Sequence, residues 1–419
     1  MIGATLFALG LGGCSTGDSG SASGPLDLDA LPWRSLQEVT RIGSVDDPDY
    51  GFSRIGAVDV DRDGNVWVFE ALARELRQYA PTGELLGRVG GRGDGPGEFS
   101  QYGTIGFGVE GDTIWAFDTG NRRLTLFGRD GTVLSDGVAP QITVGGHVPG
   151  GVMTVDPAQL GSDGLFLGHH RSGVSPMFDP TVQLVDSLRL PRVRFDLDGE
   201  IVDTVGWYPV VDEGRMPEII QVGQSEYLVP PPPSSGPLLV LQPEGYVVID
   251  RVVPGTPDAL RITRFGHAGD TVRTGLFSYV PKPFPQAVLD TAVALHVGSG
   301  GMVIYGSAAG GVMIPQRAED SAAARARLAE AIDFPPLQPP VSGTWLSTSD
   351  GGLWLEREDM GTDRRTWTLF DAEDGPVAQI EVPRALRLRW SDGSDLWGVM
   401  VDETGIPWLV GYRLAAAGG

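Results

Sequence analysis

The sequence predicts an all-β fold made of repeated four-stranded antiparallel sheets. Glycine makes up 61 of the 419 residues, about double the ~7% usual in proteins, and this excess provides many tight turns. From about residue 35 onward, short apolar runs alternate with Asp-Gly or Glu-Gly turns. Trp67 and Trp115 occupy matching places in two such units, 48 positions apart. This spacing is close to the length of a four-stranded β-propeller blade.

The clearest unit spans Ile55–Gly90. Residues 63–65 (Asp-Gly-Asn) form a hairpin turn, and the strand after this turn carries Trp67 at its centre. Glu75–Tyr79 and Glu84–Val89 then alternate polar and apolar residues, as third and fourth strands would. The unit therefore contains the four strands of one blade.

Later segments follow the same plan less regularly. Four further units contain matching turns and strands: Gly103–Gly137, Gly151–Asp212, Leu238–Phe277 and Trp345–Val382. The last unit, Leu386–Leu414, shows only about three strands, and Val39–Gly43 near the amino end can supply the fourth. Closure of this kind leaves no exposed sheet edge in the ring. We expect six blades, although the sequence alone leaves seven open.

Two segments resemble the NHL-repeat family. Residues 56–90, followed by Gly93–Phe99 (Gly-Asp-Gly-Pro-Gly-Glu-Phe), are similar to one NHL repeat and its connection to the next blade. Asp118–Leu124 is similar to the hairpin of a second repeat. The remainder is similar to the six-bladed propeller lipoproteins of bacterial envelopes. The resemblance implies a single six-bladed β-propeller domain over residues 35–414.

Residues Pro281–Pro340 interrupt the repeats. Gln286–Val297 has apolar residues at helical spacing, and Glu319–Ile332 is alanine-rich with capping residues at its start. The predicted fold class is therefore an all-β, six-bladed β-propeller with four-stranded antiparallel blades. It includes a short helical crossover, about residues 281–340, between blades four and five. Residues 415–419 are expected to form a tail.

The amino-terminal segment resembles a lipoprotein signal. The apolar run Ile2–Leu11 leads into Gly-Gly-Cys14; it is too short to span a bilayer but fits the core of a signal peptide. The resemblance implies that residues 1–14 are signal peptide and lipobox, with a lipid on Cys14, and that residues 15–34 are a flexible tether. No Lys or Arg precedes the run, so either translation starts further upstream or the segment is not a signal. In lipoproteins that carry an aspartate directly after the cysteine, this aspartate favours retention in the inner membrane. Ser15 occupies that position here, which favours the outer membrane over a periplasm-facing inner-membrane position.

Charge limits the classes of partner that the protein can bind, and cysteine content limits its disulfides. Asp and Glu number 54 against 31 Lys and Arg, a net charge of −23, and no basic run exists. Because binding to nucleic acid needs clustered cations, a nucleic-acid partner is excluded. A single cysteine excludes an intramolecular disulfide. We expect a monomer at the cell envelope that contacts the membrane through its lipid only and binds an unknown protein or glycan.

No constellation in the sequence carries catalysis or metal binding. The histidines lack zinc-ligand spacing: His147, His169, His170, His267 and His296. Asp61, Asp63 and Asn65 superficially suggest a calcium loop, but position 72 is Leu where such a loop needs Glu, so they are interpreted as turn residues. Gly-x-Ser-x-Gly is absent. We therefore assign no catalytic residue, no metal ligand and no cofactor.

Eight tryptophans recur within the units. Trp67, Trp115, Trp354 and Trp397 occupy corresponding places, so we expect them to pack between blades, and the same is expected of Trp345, Trp367, Trp390 and Trp408.

Propeller geometry indicates where a ligand would bind. The hairpins between second and third strands and the connections between blades share one face, which we call the candidate ligand face. The candidate residues on this face are Glu70, Arg74, Arg92, Asp94, Asp118, Arg122, His169 and Arg171. Loops on a rigid scaffold often carry function.

The sequence favours a non-catalytic binding or scaffolding propeller anchored at the cell envelope. The alternative is a metal-dependent hydrolase resembling the gluconolactonase-type propellers, whose divalent cation is held by a Glu, two Asn and an Asp. Only two asparagines occur, Asn65 and Asn121, and both occupy turn positions of the repeat. A lyase of the NHL type would need histidines spread over several blades, and the histidines here are too few and lie at unmatched places.

Overall fold

The computed structural model describes residues 26–143, 152–170, 189–209, 218–222, 225–229, 236–288, 290, 302–305, 312–315, 326, 336–360 and 362–415. Within these ranges the chain is almost entirely β-sheet, with one 3-10 turn at Leu28–Ala30. None of the helical residues described belongs to a helix long and apolar enough to cross a membrane.

Six four-stranded antiparallel sheets form the blades of a β-propeller. We number the blades along the chain and name their strands from the inner to the outer edge. Blade 1 contains Ile55–Val60, Val66–Glu70, Glu75–Tyr79 and Leu85–Gly90; blade 2 contains Ile105–Glu110, Thr113–Asp118, Arg123–Gly128 and Val133–Val138; blade 3 contains Val152–Leu160, Phe166–His170, Arg189–Phe195 and Ile201–Pro209.

Blades 4 to 6 occupy the second half of the chain. Blade 4 contains Leu238–Gln242, Gly245–Asp250, Ala259–Gly266 and Thr271–Ser278; blade 5 contains Val341–Ser347, Leu353–Arg357, Arg364–Phe370 and Pro376–Pro383; blade 6 contains Leu386–Ser391, Asp395–Val401, Pro407–Leu414 and, as its outer strand, Leu36–Ile42. The predicted fold class, with six rather than seven blades, is confirmed.

The apolar cores lie between neighbouring blades. Trp67 and Phe69 of blade 1 pack with Ile114 and Phe127 of blade 2, and all four side chains are buried. The pattern recurs because both faces of each sheet meet another sheet, so strands such as Val66–Glu70 are buried at every residue. Each blade is therefore stabilised mainly by its two neighbours.

The inner strands meet around the axis of the ring. Inner strands contact each other between blades 1 and 2, 2 and 3, 4 and 5, 5 and 6, and 6 and 1. Blades 3 and 4 are joined by Arg192, whose Nη1 donates a hydrogen bond to the carbonyl oxygen of Gly245 at 2.6 Å. The inner strands thus surround a central channel.

The ring is closed by the amino-terminal strand. Leu36–Ile42 pairs antiparallel with Pro407–Leu414, with Leu36 opposite Leu414 and Ile42 opposite Leu409. Ile42 is 2% exposed and packs in the core between blades 6 and 1. The predicted closure by Val39–Gly43 is confirmed, although the strand begins three residues earlier.

Residues 26–34 form a segment that we call the strap. Leu26–Asp27 pairs parallel with the outer strand of blade 4, and Leu28 is fully buried in the core between blades 4 and 5. Further on, Gln379 of blade 5 donates its backbone N–H to the carbonyl oxygen of Pro32 at 2.9 Å. The sequence assigned residues 15–34 to a flexible tether; residues 26–34 instead lie against blades 4 and 5 because Leu28 finds an apolar site there. Residues 15–25, Cys14 and the predicted signal lie outside the described residues.

The predicted helical crossover is only partly described. Residues 286–288, 290 and 326 are helical, and they fall within the two segments expected to form helices. The same region also contains a two-stranded hairpin that the sequence analysis missed, Met302–Tyr305 with Val312–Pro315. A second such hairpin, Glu218–Val222 with Ser225–Val229, precedes blade 4, and a short strand, Gln141–Thr143, pairs with the start of blade 3.

Truncation from the amino end tests the strap and the closure separately. Removing residues 1–25 is expected to leave the free energy of unfolding unchanged. Removing residues 1–34 is expected to lower it by about 2–3 kcal/mol, since Leu28 loses its burial. Removing residues 1–43 is expected to lower it by roughly twice that or more, because the edge of blade 6 and its apolar faces become exposed. Urea unfolding measures all three, and equal stability of the last two truncations would contradict the closure.

Candidate functional site

Glu70 anchors the candidate ligand face of blade 1. It ends the second strand and is 2% exposed. Its Oε1 accepts hydrogen bonds from the backbone N–H groups of Ser53 and Arg54, both at 2.9 Å, and its Oε2 accepts from that of Ala73. One carboxylate thus joins the connection entering the blade to the hairpin between its second and third strands. Both oxygens are occupied, so the role of Glu70 is to hold the loops.

Asp118 repeats this arrangement one blade further on. It too ends a second strand and is 2% exposed. Its Oδ2 accepts from the backbone N–H of Ser100 at 2.6 Å, and its Oδ1 accepts from that of Gly120 at 2.8 Å. In both blades, therefore, a carboxylate at the end of the second strand binds the connection that precedes the blade.

Arg74 lies between these two carboxylates. It adopts a left-handed backbone conformation (φ 61°) in its hairpin and is 4% exposed. Its guanidinium donates to the carbonyl oxygens of Gly103 and Tyr102, at 3.3 and 3.4 Å, and lies 3.9 Å from Asp118. Burial lowers the pKa of Arg74, and the charge of Asp118 opposes that shift. Arg74 therefore joins blade 1 to the connection into blade 2.

The remaining charged candidates of blades 1 and 2 lie at the surface. Arg92 donates to the carbonyl oxygen of Leu72 at 2.8 Å, close to Arg74 in the chain, and the side chains of Arg92, Asp94 and Arg122 are exposed. Arg122 has a left-handed backbone conformation (φ 55°), as Arg74 does, and donates to the amide oxygen of Gln141. The structure thus brings Arg74 and Asp118 together at the junction of blades 1 and 2. Glu70 lies at the connection into blade 1, and Arg122 reaches Gln141 beside blade 3.

His169 lies apart from this group, in blade 3. Its ring is half-buried and meets that of Tyr208 edge to face, with centroids 6.4 Å apart. Arg171 lies outside the described residues. In the part of the chain that the structure describes, no group of three or more His, Cys, Asp or Glu side chains could hold a metal ion.

The two described cavities open on the opposite face, which carries the turns between first and second strands. We call it the turn face. The larger cavity, of about 490 Å³, lies where blade 6 and its closing strand meet blade 1, and we call it the seam cavity. Its volume is within the range of small-molecule sites. The smaller, of about 380 Å³, lies between blades 3 and 4 beside Arg194 and His267.

Aromatic rings form much of the seam cavity. Trp397 and Tyr412 are nearly buried, whereas Trp390 is half-buried and lines the cavity beside them. Thr40 of the closing strand also lines the cavity and donates its hydroxyl to the carbonyl oxygen of Pro81 in blade 1, at 2.5 Å. The cavity therefore combines groups that come together only in the closed ring.

The carboxylates of the seam cavity differ in how many of their oxygens accept hydrogen bonds within the protein. Asp395 is held by Arg413 through two hydrogen bonds of 2.8 and 2.9 Å. Asp392 uses only Oδ1, which accepts from the backbone N–H groups of Ser394 and Asp395 at 2.8 and 2.7 Å. Oδ2 of Asp392 takes no part in these bonds, so it can accept hydrogen bonds from a ligand.

Asp61 also borders the seam cavity, but its carboxylate is fully used. Oδ1 accepts from the backbone N–H groups of Asp63 and Asn65, both at 3.0 Å, and Oδ2 accepts from Asn65, Trp67 and Gln78. These bonds hold the pKa of Asp61 below its usual value although burial opposes them. The segment forms a turn, as predicted.

The tryptophan prediction holds in part. Trp67, Trp115, Trp354, Trp367 and Trp397 are buried between blades as expected. Trp390 and Trp408 are half-buried and also pack against cores on either side of blade 6. Trp345 is 37% exposed, so the prediction was wrong for this residue. It lies on an inner strand, where a side chain can point away from the neighbouring sheet. Sequence reasoning missed Trp390 and Asp392 because it looked for a site on the other face.

Asp59 lies on the inner strand of blade 1 and reaches across to blade 2. Its Oδ2 accepts from the backbone N–H of Val109 at 2.9 Å, and its Oδ1 accepts from that of Val60 at 2.8 Å. Burial raises its pKa to about 6, although these two bonds and the side chain of Trp390 oppose the shift. Asp59 therefore changes charge near neutral pH at a contact between two inner strands.

Comparison with known proteins adds fold likenesses alone. No protein-family model matches the sequence, and no curated protein matches it, so the NHL resemblance stays a prediction. A member of the DUF4221 family from Bacteroides vulgatus is 8% identical with a TM-score of 0.44, covering 92% of this chain and 100% of that one.

Two further solved structures are similar. Virginiamycin B lyase from Staphylococcus aureus is 13% identical with a TM-score of 0.36, covering 91% of this chain and 99% of its own. The calcium-binding protein regucalcin from Agrobacterium tumefaciens is 10% identical with a TM-score of 0.35, covering 91% and 96%. At these identities and TM-scores, the likenesses carry no information about activity.

Asp59 makes stability depend on pH in a defined direction. Because its folded-state pKa of about 6 exceeds its usual 3.8, protonated Asp59 favours folding, and this contribution is lost as pH rises through about 6. From pH 5 to pH 8, the free energy of unfolding of Asp59→Asn is therefore expected to rise by roughly 1–2 kcal/mol relative to that of the parent. Urea unfolding at both pH values measures the gain. The exposed Asp46→Asn serves as the control, and equal pH dependence of the Asp59→Asn variant and the parent would contradict the assignment.

Proposed function

We propose that the chain is a non-catalytic binding module of the bacterial cell envelope and that it binds a glycan in the seam cavity. The observation that carries the proposal is the chemistry of this cavity, which places the half-buried ring of Trp390 beside the partly unoccupied carboxylate of Asp392. Sugar rings present apolar C–H faces that pack on aromatic rings and hydroxyl groups that donate to carboxylates.

The position of the cavity also supports a binding role. Small-molecule sites are concave, mostly pre-formed and equipped with a few polar groups that fix orientation. Here Arg413 holds Asp395 and the closing strand provides Thr40, so the walls are set by the fold before any ligand arrives. The described residues around the cavity include no nucleophile paired with a general base.

A protein partner at the candidate ligand face stays a prediction. Arg92, Asp94 and Arg122 are exposed there, whereas Glu70, Arg74 and Asp118 are buried and occupied by contacts that hold the loops of blades 1 and 2. Only the exposed three are therefore suited to meet a partner without disturbing the loops. The monomeric state likewise stays a prediction.

Glycan binding is tested with labelled protein on an array of immobilised bacterial envelope oligosaccharides, using Cys14→Ala to keep the protein free of lipid. Trp390→Ala is expected to weaken binding at least about tenfold, through loss of ring packing. Asp392→Asn is expected to weaken it similarly, while its amide oxygen keeps the two turn hydrogen bonds. Trp207→Ala, a substitution of a 54% exposed tryptophan in blade 3, is the matched control. Binding that survives both cavity substitutions would refute the site.

Lipid anchoring is tested independently. The apolar run ending in Gly-Gly-Cys14 implies that the protein, expressed in a Gram-negative host, partitions into detergent. Cys14→Ala is expected to move it to the aqueous fraction because a lipid chain is the only membrane contact proposed. Ser15→Ala, which leaves the cysteine in place, is the control. The same membrane fraction for Cys14→Ala and the parent would contradict the lipobox.

A further inference from the structure

The inner strand of blade 6 has an unusual charge pattern. Leu386–Ser391 reads Leu-Arg-Leu-Arg-Trp-Ser, and Leu386 and Leu388 are buried while Arg387 and Arg389 are exposed. The two leucines pack in the core between blades 5 and 6. Because this strand is flanked by the inner strands of blades 5 and 1, the exposed side chains between the leucines open toward the central channel.

These arginines have no counter-charge among the residues that the structure describes. Arg387 and Arg389 are the only cationic residues on the six inner strands, and neither makes a hydrogen bond or an ion pair in the described part of the chain. Several other arginines with exposed side chains are paired, as Arg413 is with Asp395 and Arg364 is with Glu381. Two unpaired guanidinium groups on alternate residues of one strand repel each other, so they are a cost to the ligand-free protein.

The surroundings of Arg389 increase this cost. Burial lowers the pKa of Arg389, and the charge of Arg387 adds to the shift. Arg389 is thus accessible to solvent and yet surrounded by protein, as expected for a group lining a channel. A guanidinium in such a place interacts more strongly with an anion than one at the open surface. The net charge of −23 makes an uncompensated cationic site all the more exceptional.

A tryptophan lies on the adjoining inner strand. Trp345 of blade 5 is 37% exposed, and a register shift between Val341 and Trp345 locally detaches this strand from the second strand of its blade. The inner strands of blades 5 and 6 contact each other, so Trp345 borders the same channel as the two arginines. An accessible indole beside paired guanidinium groups offers an apolar surface next to an anion site.

We infer that the central channel holds a binding site for a small molecule bearing a carboxylate or phosphate group, which Arg387 and Arg389 bind while Trp345 packs against the rest of the molecule. Guanidinium groups bind such oxyanions through paired, charge-assisted hydrogen bonds. This site is distinct from the seam cavity and does not rest on the proposed glycan binding. It also gives a reason for the unpaired charges, since a ligand removes their repulsion.

The test measures binding of two probes to the full-length protein at constant ionic strength. Inorganic phosphate carries the charge alone, and glucuronate carries a carboxylate on a ring; glucose is the uncharged counterpart and chloride the reference salt. Both anions are expected to raise the melting temperature by several degrees at about 10 mM or below. Glucuronate is also expected to change tryptophan fluorescence. No shift with either anion would refute the site.

Substitutions separate a binding site from a general salt effect. Arg389→Gln is expected to weaken the binding of both anions at least about tenfold. It is also expected to raise the melting temperature of the ligand-free protein, because it removes the repulsion with Arg387. Trp345→Ala is expected to weaken glucuronate more than phosphate. Arg364→Gln, on the third strand of blade 5, is the control because it removes the same charge away from the channel. Anion binding that is unchanged by Arg389→Gln, or a ligand-free Arg389→Gln variant that is less stable than the parent, would overturn the proposal.

Discussion

Pairing of the closing strand, Leu36–Ile42, with Pro407–Leu414 is the interaction on which the rest of the structure depends. In a ring of blades each apolar core lies between two sheets, so a missing outer strand leaves a sheet edge open and weakens the cores on both sides of it. Ile42 packs directly with residues of blades 6 and 1. The seam cavity exists for the same reason, because the closing strand forms one of its walls.

Much of the fold could be predicted from sequence because it is written in local signals. Asp-Gly turns and alternating apolar residues define blades 1 and 2, and an incomplete last unit points to closure by an amino-terminal strand. The strap could not be predicted, since Leu26–Asp27 adds to blade 4 from more than 200 positions away and Leu28 carries no local signal of burial. The hairpin Met302–Tyr305 with Val312–Pro315 was missed because the flanking alanine-rich segments favour helix.

The candidate sites were less predictable than the fold. Sequence reasoning identified charged residues near blade junctions, but it could not show that the carboxylate oxygens of Glu70 and Asp118 accept hydrogen bonds from backbone N–H groups. It also treated eight tryptophans as packing residues alone, although Trp345 is 37% exposed and the half-buried Trp390 also lines the seam cavity. The pattern Leu-Arg-Leu-Arg-Trp was a usable signal: alternation on an inner strand places both arginines on one side. Whether such residues find partners depends on side chains distant in sequence.

The strap determines how the propeller responds to force on its amino end. Such a force acts first on the Leu26–Asp27 pairing, on Leu28 in its core and on Asp29, which accepts hydrogen bonds from Val280 and Arg357. The backbone contacts at Pro32 and Arg34 come next in the load path. The closing strand bears load only after these contacts have broken one after another. A molecule held by this end would therefore yield in steps at its periphery while the ring stays shut.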